Sequence, residues 1–131
     1  MKADIENIEQ IKTLVNQFYN RVKEDELLAP LFSHVNWEKH LPVMYAFWNN
    51  VIFNTGGYSG NPLQVHRNFH QQFPLNALQF ERWLKLFNET LDLHFEGTNT
   101  ETARQRATSI AGVMQIKLFG TSEGLSPFHK K

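Results

Sequence analysis

Cysteine is absent from this chain of 131 residues, and that absence removes three chemistries together: a disulfide framework, thiolate-held zinc and thiol nucleophiles. Any metal has to be held by His, Asp or Glu. Net charge is missing too, since 13 Lys plus Arg balance 13 Asp plus Glu, and no long-range basic field is left for a nucleic-acid partner. Apolar runs stay short of the roughly 18 to 20 residues that span a bilayer. The opening Met1-Lys2-Ala3-Asp4-Ile5-Glu6 has no signal-peptide core, so the expectation is a cytoplasmic protein with no membrane segment. Gly-x-Ser-x-Gly, His-Glu-x-x-His and the paired Glu-x-x-His of a di-iron bundle are all missing. What is abundant is rings: 11 Phe, 3 Trp and 3 Tyr beside only 5 Pro. Such a core is either bulky or built around something planar.

The apolar residues repeat at helical spacing. Ile8, Ile11, Leu14, Val15, Phe18, Tyr19 and Val22 predict a long first helix that loses register before Pro30, because a residue preceding proline is pushed out of the α region. Leu28 to Ser33 reads as a break. Asn36 as N-cap predicts a second helix with His40, Met44, Phe47, Trp48 and Val51 on one face. Pro42 is tolerable in its first turns, or it marks a kink or a later start.

The glycine-rich stretch from Asn54 to Asn61 follows no strand and reads as a surface loop rather than a phosphate cradle. Asn61 and Pro62 then begin a short helix whose inner stripe is Leu63, His66, His70 and Phe73, closed by Pro74. Asn76 with Gln79 has capping-box spacing, and Leu75 with Phe80 a hydrophobic staple, ahead of a helix through Trp83, Leu84, Phe87, Leu91 and Phe95. Gly97 is read as its αL stop, and Thr98 with Glu101 as a second capping box. A last helix through Ala103, Ala107, Ile110, Ala111, Met114 and Leu118 ends at Gly120, before a frayed tail over 121–131. The expectation is one all-α domain of about five or six helices with its core over roughly residues 5–118.

His66 and His70 stand one helical turn apart and can share a metal, or one can bind while the other is structural. A histidine on an apolar helix face is more often a packed boundary residue than a ligand. Phe18, Phe32, Phe47 and Trp48, taken singly, are core residues before they are a cofactor box. Tyr19 and Trp83 are sharper signals, because each carries a donor that needs a partner when buried.

Phe18-Tyr19, Pro30-Leu31-Phe32, Trp37-x-x-His40, Phe47-Trp48, Tyr58-x-Gly60-Asn61-Pro62-Leu63 and Phe80-x-Arg82-Trp83-Leu84-x-Leu86-Phe87 occur in this order. In that combination, over roughly residues 5–118, the chain resembles a bacterial truncated haemoglobin of group III. The resemblance implies a shortened globin, a two-over-two helical sandwich around haem b. It implies that Tyr19 and Trp83, with His40, form the distal pocket, and that Phe32, Met44, Phe47 and Trp48 contact the haem.

For the proximal iron ligand the two anchors differ by one turn. Counting from Pro62-Leu63 gives His66, and counting back from Trp83 gives His70. The ungapped match from His70 through Phe73-Pro74-Leu75 to Trp83 favours His70, with His66 flanking the haem. The implied function is binding of oxygen, nitric oxide or carbon monoxide in a polar pocket. The chemistry expected is nitric oxide dioxygenation, peroxide reaction or gas sensing rather than oxygen transport, with a separate reductase supplying electrons. Two rivals stand beside it: a haem-free helical module with an aromatic groove for a small molecule or partner, and a non-haem metal site at His66 and His70.

Overall fold

The computed structural model describes residues 2–33, 35–55 and 76–119. The expected short helix with His66 and His70, and the tail beyond Gly120, lie outside them. Among the described residues there are four α-helices, a single 3-10 turn and no strand: α1 (Ile8–Glu24), the turn Ala29–Phe32, α2 (Trp37–Phe53), α3 (Ala77–His94) and α4 (Thr98–Phe119). None of the described helices is long and apolar enough to cross a membrane.

α1 opens on a capping box: Asn7 Oδ1 accepts the N–H of Glu9 at 2.9 Å, and Gln10 Oε1 accepts the N–H of Asn7 at 3.0 Å. The stripe predicted from spacing is the buried one, from Ile11 through Phe18 and Tyr19 to Val22. The helix stops sooner than Pro30 alone would require. Asp25 is extended, and its carboxylate takes the N–H groups of Leu27 and Leu28, a local side-chain alternative to continued helix.

Asn36 caps α2 as expected, its side chain accepting from Lys39. Pro42 falls in the second turn, and the helix neither starts later nor stops there. Asn54 ends α2 in the left-handed conformation, with φ 55° and its N–H on Asn50 O at 2.7 Å. The Asn76–Gln79 capping box begins α3 with both reciprocal bonds at 2.9 Å.

Two expectations around Gly97 are corrected. α3 ends at His94 with an extended Phe95, so Gly97 is not its stop. Thr98 is the first residue of α4 rather than its cap, and the Glu101 side chain turns outward to Arg104. The cap comes from the other end of the chain. Asp4 accepts the N–H of Asn99 at 2.9 Å and the N–H and hydroxyl of Thr100 at 2.8 Å each, satisfying donors that a helix start leaves open. Asn99 holds Ile5 O in return, and Glu96 N–H holds Ala3 O.

α1 packs on α2 and on α3, α3 on α4, and α2 on α4. This is the expected two-over-two sandwich. Ala103, Ala107 and Ala111 are buried on α4, and their small side chains let it approach its neighbours closely. Phe87 is fully buried, stacked on Trp48 (centroids 4.8 Å, 22°) and on Trp83 (5.7 Å, 9°) with Phe18 edge-on at 5.3 Å.

Candidate functional site

Between the two helix pairs lies a cleft that is partly open to solvent and is lined from all four described helices. α1 contributes Tyr19, and the chain after it contributes Leu28, Leu31 and Phe32. α2 supplies Met44, Phe47 and Trp48; α3 supplies Gln79, Phe80 and Trp83; α4 supplies Ile110, Ala111 and Met114. The walls are apolar almost throughout, which suits a large flat hydrophobic group.

Six residues expected at the site therefore share this cleft: Tyr19, Phe32, Met44, Phe47, Trp48 and Trp83. Tyr19 is nearly enclosed, at 6% exposure. Its burial pushes the phenol far above its ordinary value, so the hydroxyl stays protonated and able to donate. No hydrogen bond among the described residues uses that hydroxyl or the Trp83 indole N–H. Trp48 brings a second indole N–H to the lining and Gln79 an amide, whose oxygen is already committed to the N–H of Asn76.

His40 is placed differently from Tyr19 and Trp83, the residues expected beside it. It is not among the residues lining the cleft; its ring meets Tyr19 edge-on at 5.3 Å and Trp37 at 5.5 Å. Trp37 stacks in turn on Phe32 at 5.9 Å, and Lys23 Nζ lies 4.6 Å from the centre of its ring. His40 therefore sits in an aromatic cluster that supports Tyr19 and Phe32 from outside the cleft. His66 and His70 fall outside the described residues, and no group of three potential metal ligands occurs among those that are described.

Sequence reasoning missed Leu28, Leu31, Gln79, Phe80, Ile110, Ala111 and Met114 as cleft residues. For Ile110, Ala111 and Met114 the signal was present as an inward stripe on the last helix, but periodicity does not say whether a stripe meets another helix or a cavity.

The sequence matches the family described as bacterial-like globin over residues 4–116. It is 33% identical over 128 residues to group 3 truncated hemoglobin ctb of Campylobacter jejuni, with 91% of this chain and 96% of that protein covered. Group 1 truncated hemoglobin GlbN of Nostoc commune is 26% identical over 109 residues, with coverage of 82% and 89%. The crystal structure of group III truncated hemoglobin from Campylobacter jejuni aligns with a TM-score of 0.82 at 32% identity, covering 92% of this chain and 97% of that one. Four described helices crossing in two pairs around an aromatic cleft, and matches that run nearly end to end, place the protein in the bacterial-like globin family, among its group III truncated haemoglobins.

Proposed function

We propose that the cleft holds haem b and that this chain retains a diatomic gas there for chemistry or sensing rather than for delivery. The observation that carries the reading is the composition of the cleft: largely apolar described walls that include Tyr19 and Trp83, whose hydroxyl and indole N–H enter no hydrogen bond among the described residues. Phe32, Met44, Phe47 and Trp48 would pack on the macrocycle, and His70, or alternatively His66, would bind the iron. When bound, the haem supplies an open coordination position and one-electron chemistry.

What the chain itself adds is polarity in a dry place. Tyr19 and Trp83 would donate to a diatomic ligand that carries partial negative charge, and low local dielectric would strengthen each bond. Burial keeps Tyr19 protonated through the alkaline range, near pH 10, where an exposed tyrosine ionises. Slow release follows, and slow release suits nitric oxide or peroxide chemistry or sensing better than transport. The electron donor is taken to be a separate reductase.

Protein expressed with adequate haem is expected to show a stoichiometric Soret band. Tyr19→Phe and Trp83→Phe should each speed oxygen release from the ferrous protein by about ten- to a hundredfold, the range for losing a hydrogen bond to a charged group. Stopped-flow rates unchanged in both variants would refute the donor cage, and absence of a Soret band would leave the haem-free groove.

For the proximal ligand, His70→Gly is expected to lose the normal haem spectrum and to regain it with added imidazole. Loss and rescue at His66→Gly alone would move the ligand one turn.

A further inference from the structure

Asp25 closes α1, and its carboxylate is shared between two walls of the cleft. The side chain is only 10% exposed. Oδ2 accepts the N–H groups of Leu27 at 3.1 Å and Leu28 at 3.0 Å, while the backbone carbonyl accepts from Ala29 at 2.8 Å. These bonds shape the turn that carries Leu28, Leu31 and Phe32 into the cleft. Oδ1 accepts from Arg82 Nη1 at 2.6 Å, across 57 positions of sequence. Arg82 is the residue before Trp83 on α3.

We propose that Asp25 and Arg82 are positioning residues: their ion pair fixes the Trp83 wall against the Leu28–Phe32 turn and so sets how firmly a gas ligand is held. This deepens the function proposed above and rests on it. Successive helical residues point about 100° apart, so a tether on Arg82 restrains the roll of α3 that aims the neighbouring indole. Displacements of about 1 Å at a positioned donor are enough to alter its effect strongly.

An ordinary surface ion pair would carry no such argument, since exposed pairs are worth little. Arg82 is itself 40% exposed, comparable with Arg21 and Glu89 in their 3.5 Å pair; what separates the two pairs lies on the Asp25 side. The Asp25 carboxylate is nearly enclosed, and each of its oxygens is engaged by a different wall. Burial works against its charge, yet the hydrogen bonds from Arg82 and from the amides of Leu28 and Leu27 outweigh it, and the carboxyl is held below its ordinary value. The charged form is the one built into the fold.

The test uses the full chain with haem bound. Arg82→Met keeps the aliphatic stem and removes the charge; Arg82→Lys returns a cation without the planar fork. Oxygen release from the ferrous protein should accelerate roughly tenfold in Arg82→Met, equivalent to about 1.4 kcal/mol, and by less in Arg82→Lys. Added to Trp83→Phe, Arg82→Met should have no further effect, because residues acting through one contact are not additive. In 5-fluorotryptophan-labelled protein, the fluorine signal of position 83, identified by its loss in Trp83→Phe, should move in Arg82→Met with or without haem.

Unchanged release, the same acceleration in the Trp83→Phe background, or an unmoved fluorine signal would each overturn the positioning role. A wild-type chain that binds no haem would instead defeat the function above, and the fluorine signal alone would then decide the pair.

Discussion

Phe87→Ala should lower the unfolding free energy by about 4 kcal/mol, near the middle of the range for deleting a buried aromatic ring. Phe87 is fully enclosed and lies between two tryptophans that both line the cleft, Trp48 at 4.8 Å and Trp83 at 5.7 Å. Truncation therefore removes the transfer energy of the ring, leaves a cavity, and forfeits stacking contacts worth roughly 0.5 to 1.5 kcal/mol each. Phe18 stands edge-on at 5.3 Å as a third ring against it, so the surrounding rings limit collapse into the gap. Urea unfolding of the variant should show a lower midpoint with an unchanged slope. Phe87→Leu should cost much less, about 1 to 2 kcal/mol, because most of the volume is kept. A loss below about 1 kcal/mol for the alanine variant would mean that the two indoles close over the space, and that Phe87 does not hold the cleft wall.

The same ring shows how far the sequence could be read. Phe18, Trp83 and Phe87 fall on inward stripes by spacing alone; the buried face of α1 follows its stripe, while that of α3 shares Phe87 and Leu91 with it and adds Leu86 and Thr90. Helix starts were legible where the cap is local: Asn36 and Asn76 bond donors within three residues. Asn7 and Gln10 carry the same spacing as Asn76 and Gln79 and were open to the same rule.

What was not legible depends on partners far along the chain. The stop of α1 is fixed by an aspartate whose second oxygen waits for Arg82. The start of α4 is fixed by Asp4, 95 positions before Asn99. His40 shows a third limit: sharing a helical face with Met44 and Phe47 did not place it in the cleft, because its end of the face meets Tyr19 and Trp37 instead. The family resemblance supplied the ordering of Tyr19, Phe32 and Trp83 around one space, which periodicity alone could not.

Gly97→Ala is expected to destabilise the protein by at least about 3 kcal/mol, from backbone strain and lost capping acting together. Gly97 has φ +147°, a conformation L side chains rarely adopt, and a Cβ there would lie 2.4 Å from Asp4 Cγ. The space a capping side chain would need is filled by the Asp4 carboxylate, so adding a methyl group expels the substitute cap. The double variant Asp4→Gly with Gly97→Ala should then cost less than the sum of the single changes, because the clash and the lost bonds are counted once.

Acid titration gives an independent check. Burial acts to raise the Asp4 carboxyl, but the Asn99 amide, the Thr100 hydroxyl and the Ile5 and Thr100 amides together hold it below its ordinary 3.8. A depressed carboxyl stabilises the fold fully above its unfolded value and loses that contribution as pH falls through the folded one. The gap between wild type and Gly97→Ala should therefore be constant near neutrality and narrow as urea unfolding is repeated toward about pH 3. A gap that stays constant over that interval would show that Asp4 keeps its place in the variant, leaving strain as the whole of the effect.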